Sequence, residues 1–153
     1  MYKINANSSV PLFEQIEQKT KLCIASGAFP EGKRIPSIRD IAKVAAINHQ
    51  TVVKAYRNLV GEGIIAPVRG MGFVVTKGAK TKCQRYQRNY LKQQLEETLE
   101  AGALGGLSFE EMKSIVDAAV DKANAKFKIV DIKEEQEEWA QFRQDRRRMI
   151  LHR

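Results

Sequence analysis

Residues 37–60 read SIRDIAKVAAINHQTVVKAYRNLV, and this stretch decides the fold. Ser37, with Asp40 three positions on, has the spacing of a capping box, and Pro36 stands immediately before it. Ile38, Ile41, Ala42 and Ala45 then give a short helix its apolar inner face. The run Ala46-Ile47-Asn48 breaks that pattern, and Asn48 is a good N-cap for a second helix. In that helix Val52, Ala55, Tyr56 and Leu59 recur at i, i+3, i+4 and i+7. Two amphipathic helices across so short a break predict a helix-turn-helix.

Upstream, Pro11 opens a third amphipathic stretch, with Leu12, Phe13, Ile16, Thr20, Cys23 and Ile24 near helical spacing. Gly27 is its stop signal, and residues 29–32, FPEG, read as a turn. Downstream, Gly61 and Gly63 end the helix that Asn48 begins, and two β-like runs follow at 64–68 and 73–76. Arg69, Gly70, Met71 and Gly72 join them with the glycines that a tight hairpin needs. Helix, helix, tight turn, helix, hairpin is the order of a winged helix-turn-helix. The fold class expected is mainly α with a small β-hairpin, and residues 1–76 form this first domain.

Residues 77–84 are basic, small and without apolar anchors, so a linker is expected there. A helix over 85–102 places Tyr90, Leu91, Leu95, Thr98 and Leu99 on one face. A glycine-rich turn and a second capping box, Ser108 to Glu111, introduce another helix. Its inward residues are Phe109, Met112, Val116, Ala119, Val120 and Ala123. Two such helices cannot bury both faces alone. The expectation is an α-helical dimerisation region over 85–128, joined through Tyr90, Leu91, Leu95, Leu99, Phe109, Met112, Val116 and Val120 into a homodimer. Packing back onto the winged helix in a monomer is the alternative. Residues 129–153 carry acids first and bases last, the order that suits a terminal helix.

Charge is divided unevenly along the chain. Residues 1–82 hold 13 Lys/Arg against 5 Asp/Glu, whereas residues 83–153 hold 13 of each, so the whole net charge of +8 lies in the first half. A solvated surface spreads its charge, and a phosphate-binding module concentrates it. No apolar run approaches the ~20 residues that span a bilayer, and the first residues lack the apolar core of a secretion signal. A cytoplasmic location, with no membrane partner, is expected. Cys23 and Cys83, sixty residues apart, read as reduced thiols, and His49 and His152 leave a zinc site short of ligands. No cofactor or metal is expected, and no nucleophile and base can be placed at one site, so an enzyme is not.

A helix in the major groove reads base edges mainly through its N-terminal residues, here Asn48, His49, Gln50 and Thr51. Gln50 offers a donor and an acceptor together to adenine. Thr51 suits a phosphate oxygen, and His49 is a base contact, a phosphate contact or a bystander. Ser37 heads the preceding helix, and Arg39 on its first turn reaches phosphate or guanine, or else pairs with Asp40 or Glu62. Lys54 and Arg57 project away from the apolar face, toward phosphates or water. Arg69 and Gly70 form the hairpin tip, where Arg69 can enter a minor groove. The partner these residues suit is double-stranded DNA.

The chain at this point resembles the GntR family of bacterial winged-helix regulators. The resemblance is carried by Pro11, Leu12, Phe13, Gln15 and Ile16, then by Gly27, Phe29, Gly32, Ile35, Pro36, Ser37, Arg39, Ile41 and Ala42. It runs on through Asn48, Thr51, Val52, Ala55, Tyr56, Leu59, Glu62, Gly63, Ile64 and Ile65, and closes on Gly70, Gly72, Phe73, Val74 and Val75. The short C-terminal part looks like the small YtrA-like subgroup. The resemblance implies a dimeric repressor on a palindromic operator, with Arg39 and residues 48–51 facing DNA and the hairpin tip at the minor groove. His49 stands where proline is frequent in the family, and Met71 where a basic residue is. The alternative is a non-specific architectural nucleic-acid-binding protein; a protein-docking module is a further one. Two C-terminal helices leave little volume for a small-molecule effector unless a dimer interface makes a pocket.

Overall fold

The computed structural model describes residues 4–129. Helix α1, Leu12–Ser26, starts directly after Pro11 and stops where Gly27 turns left-handed at φ 88°, its N–H returning to the Ile24 carbonyl. Helix α2, Ile38–Ala45, carries its capping box in full. Ser37 Oγ accepts from the Asp40 N–H at 3.2 Å, and Asp40 Oδ2 accepts from the Ser37 N–H at 3.0 Å and from its hydroxyl at 2.7 Å. Ala46 ends α2 in the left-handed region at φ 52°. Helix α3, His49–Gly61, then begins under the Asn48 cap, whose Oδ1 accepts from the Gln50 N–H at 2.8 Å. Each cap contributes about 1 kcal/mol to its helix.

Strands β1, Ile65–Val68, and β2, Gly72–Val75, pair antiparallel, with Ile65 opposite Val75 and Val68 opposite Gly72. They lie within a residue of the expected runs. One further rung has no sequence signal. Arg34 bridges Val74, the Ile35 N–H donates to the Phe73 carbonyl at 3.0 Å, and the Val75 N–H donates to the Lys33 carbonyl at 3.0 Å. The chain leaving the 29–32 turn thus lines the other edge of β2.

The apolar faces named from the helical spacing meet in one core. Ile16 and Ile24 of α1, Ile41 of α2, and Val52, Ala55, Tyr56 and Leu59 of α3 are all fully buried with Ile65 and Val75 of the hairpin. A large apolar side chain buried this way contributes about 1.5–3 kcal/mol over leaving it in water. Tyr56 is the joint between the parts. Its hydroxyl donates to the Pro36 carbonyl at 2.7 Å, and its ring meets Phe73 edge-on at 5.0 Å.

Where a linker is expected, the chain is helical. Helix α4, Ala79–Leu104, starts four residues after the last residue of β2, Val75, and covers both residues 79–84 of the 77–84 segment and the expected 85–102 helix. Ala79 and Cys83, one helical turn apart, are buried on the winged helix. Glu31 caps the new helix from 49 residues away, accepting the Lys80 N–H at 3.0 Å. Lys80 and Lys82, which make the segment look like solvated linker, stand exposed beside those two anchors. Lysine and alanine are good helix formers, so polarity alone does not mark a coil.

The chain divides into two units, residues 1–89 and 90–153. In the second, the rest of α4 and helix α5, Phe109–Ile129, flank a turn that ends in Gly106 at φ 88°. The expected capping box opens α5, with Glu111 Oε2 accepting from the Ser108 N–H and hydroxyl, both at 2.8 Å. Gly102 lets α5 come close, since a methyl there would stand 3.2 Å from Met112 Sδ. Beyond Ile129, the expected 129–153 tail lies outside the described residues.

Candidate nucleic-acid interface

Asn48, His49 and Gln50 stand exposed at the start of α3, and Thr51 is half-buried. The cap that starts the helix takes the Asn48 Oδ1 and the Gln50 N–H, leaving the Asn48 amide nitrogen and the whole Gln50 side chain outward. The Thr51 N–H returns to the Asn48 carbonyl at 3.0 Å. The inner residues Val52, Ala55, Tyr56 and Leu59 anchor this helix so firmly that its polar end is held in place.

Arg39 is exposed on the first turn of α2. The Glu62 carboxylate, one of its two considered partners, is held by Lys21 at 2.8 Å, and the Asp40 carboxylate is turned to Ser37. Ser37 is half-buried, and its hydroxyl both donates to and accepts from Asp40. A phosphate would need that hydroxyl's one proton, so the structure gives Ser37 a capping role first. Lys54 is exposed but engaged. Its Nζ lies 3.6 Å from the centre of the Phe13 ring, where cation–π attraction ties α3 to α1. Arg57 is exposed.

At the hairpin tip the Met71 N–H donates to the Val68 carbonyl at 3.0 Å, closing a turn around Arg69 and Gly70. Gly70 takes φ 75°, which only glycine adopts at no cost, so its role is to let the tip turn. Arg69 is exposed beside it.

Three residues have positions that sequence reasoning missed. Lys21 reads as a surface lysine but is 4% exposed, paired with Glu62 and lying 4.1 Å from the centre of the Tyr86 ring. Glu31 reads as part of a turn but caps α4. Arg34 reads as one of several scattered bases but lies along the hairpin. Nothing in their local sequence distinguishes them, because each is defined by a partner far along the chain.

The acids explain why the arginines stay available. Glu17 accepts from the Asn58 amide at 2.7 Å, Glu31 caps α4, Asp40 caps α2 and Glu62 holds Lys21. Four of the five acids of residues 1–82 are therefore engaged within the fold. Among the described residues, the side chains of Arg34, Arg39, Arg57 and Arg69 have no hydrogen bond or ion pair. Burial raises the Glu17 carboxyl, although the Asn58 hydrogen bond opposes it. Burial likewise pushes the Cys83 thiol up to about 11, which keeps it protonated and unreactive. No helix is long and apolar enough to cross a membrane among the described residues, and no three His, Cys, Asp or Glu side chains there gather as metal ligands do.

A family model described as bacterial regulatory proteins, gntR family, matches residues 12–75, the whole helix-turn-helix and hairpin. The HTH-type transcriptional repressor YtrA of Bacillus subtilis is 34% identical over 112 residues, covering 73% of this chain and 86% of that one. The chain belongs to the gntR family of bacterial regulatory proteins. It is a DNA-binding transcriptional regulator with the family's winged helix. Two solved structures from Listeria monocytogenes carry the likeness past the hairpin. One, described as a transcriptional antiterminator, is 31% identical at a TM-score of 0.60, covering 78% of this chain and 90% of that one. The other, a GntR family transcriptional regulator, is 26% identical at a TM-score of 0.60, covering 73% and 97%.

Proposed function

We propose that this regulator is a homodimeric, sequence-specific repressor that reads a palindromic operator. The observation that carries the reading is the polar tip of exposed Asn48, His49 and Gln50 with half-buried Thr51, on a helix anchored by four buried residues. A surface built only to hold phosphates would need lysine and arginine there, whereas these side chains present mixed donors and acceptors. Around that tip, Arg39, Arg57 and Arg69 contact the backbone and supply affinity. Lys54, if it serves DNA, does so from its seat over Phe13, and Gly70 serves by shaping the tip.

Dimerisation through residues 85–128 is supported by what this single chain leaves uncovered. Leu91, Phe109 and Val120 are 68%, 73% and 60% exposed. Tyr90 and Leu95 are exposed as well, and Leu99, Met112 and Val116 are half-buried. An apolar stripe of this extent is stable in water when a second copy covers it, and two-fold pairing places two reading helices on two half-sites. Repression is the role named for the Bacillus subtilis relative, and blocking a promoter asks nothing of the protein beyond occupancy. No catalytic step enters this function, and its place is the cytoplasm, with the chromosome.

Selection of bound duplexes from a random library tests the reading directly. The expected result is a palindromic motif with half-sites about 10 bp apart or a multiple of that. A recovered pool with no motif overturns sequence specificity and favours the architectural alternative.

A further inference from the structure

We propose that Arg34 is a DNA-backbone contact of the wing, forming with Arg69 a two-arginine wing. The assignment rests on the proposed DNA-reading surface and extends it to an element the helix-turn-helix does not include.

The placement follows from strand pairing. Arg34 is bridged to Val74, so the two side chains share a face of the wing. Phe73 and Val75, the alternate residues of β2, turn the other way: Phe73 onto Tyr56 and Val75 into the core. Arg34 is thus on the outer face with Gly72. Its guanidinium runs along the bare backbone of Gly72, and a methyl at that position would stand 3.6 Å from both Nε and Nη2. Gly72 is the residue that follows the tip turn. Its lack of a side chain leaves a track along which the arginine extends toward the tip.

Charge supports the same role. Arg34 is exposed and has no hydrogen bond or ion pair among the described residues, so all five of its N–H donors are open. A structural arginine of this kind would face a carboxylate, yet the acid three residues before it, Glu31, is turned to α4. What remains is a planar donor group held beside the rung that closes the tip turn of the hairpin, the geometry that suits phosphate oxygens. Because Arg34 stands behind the tip rather than at it, the contact is to the sugar-phosphate edge of the groove, without base preference.

Fluorescence titration of labelled duplexes with the full chain, at several salt concentrations, tests this. The probes are one library-selected duplex and one random-sequence duplex. Arg34→Ala is expected to weaken both by about tenfold and to make the salt slope shallower by about 0.9 per protomer, with the melting temperature unchanged. Arg34→Lys keeps the slope. Adding Met71→Lys to Arg34→Ala restores much of the affinity, which a merely structural arginine would not allow. Wild-type affinity and slope in Arg34→Ala, alongside an impaired Arg39→Ala, overturn the assignment while leaving the reading surface intact. So does a loss confined to the selected duplex, or one that tracks a lowered melting temperature. A wild-type chain that binds neither duplex overturns the surface as a whole, and Arg34 with it.

Discussion

Tyr56 shows how one side chain can tie three elements of the fold together. From α3 it donates to the Pro36 carbonyl just before α2 and packs edge-on against Phe73 of the wing. Burial, with the Asp40 carboxylate and then Cys23 as lesser causes, raises its hydroxyl so that it stays a donor at any working pH. Tyr56→Phe keeps the ring but strands a buried carbonyl. It is expected to lower unfolding free energy by about 1–3 kcal/mol in urea titration, with the fold retained. The proposed DNA contacts on α2 and α3 should behave differently. Gln50→Ala is expected to relax preference at one position per half-site in library selection, with stability unchanged. Arg39→Ala should weaken binding across many sequences and flatten the salt dependence. Binding unaltered by either substitution would exclude this face of the molecule. The exposed placement of Gln50 and Arg39 was legible because each lies at a helix start, where caps and exposed donors follow from local sequence. Arg34 and Lys21 were not, because strand pairing and a distant carboxylate define them.

Among the elements, α4 departs furthest from expectation. Ala79 and Cys83 bury its first turns, and Glu31 caps its start through the backbone of Lys80 and Gly78. Those hydrogen bonds go to the charged form and hold the Glu31 carboxyl below its ordinary 4.5. A lowered carboxyl contributes stability that is present above the unfolded value and lost as pH falls through the folded one. Wild type is therefore expected to melt higher than Glu31→Ala at neutral pH, and the gap to close below about pH 4.5. A gap that persists unchanged at pH 3 would show that the charge is not what stabilises the helix start. The helix also explains a general difficulty. Helices α1, α2, α3 and α5 announce themselves by caps and periodic apolar residues. The first turns of α4 have one small anchor per turn among lysines, a pattern that reads equally well as coil.

At the scale of the whole molecule, the chain separates a compact basic unit from a helical unit with much of its apolar surface open. If a second copy covers that surface, a charge on it should break the pair without unfolding the reader. Leu95→Glu and Val116→Glu are expected to shift the chain toward monomer in sedimentation equilibrium. Operator affinity should fall by at least tenfold, since one half-site is then held alone. A variant that remains dimeric would place the interface elsewhere. The sequence by itself determined the winged helix, the polar start of its third helix and the location of the positive charge. Those depend on spacing within one element and on residue type, both of which are local. Only the tertiary structure decided that the presumed linker is helix, that Glu62 serves Lys21 rather than Arg39, and that the wing carries a second arginine. Each of these turns on which groups meet across 40 residues or more of chain, and no local pattern encodes such a meeting.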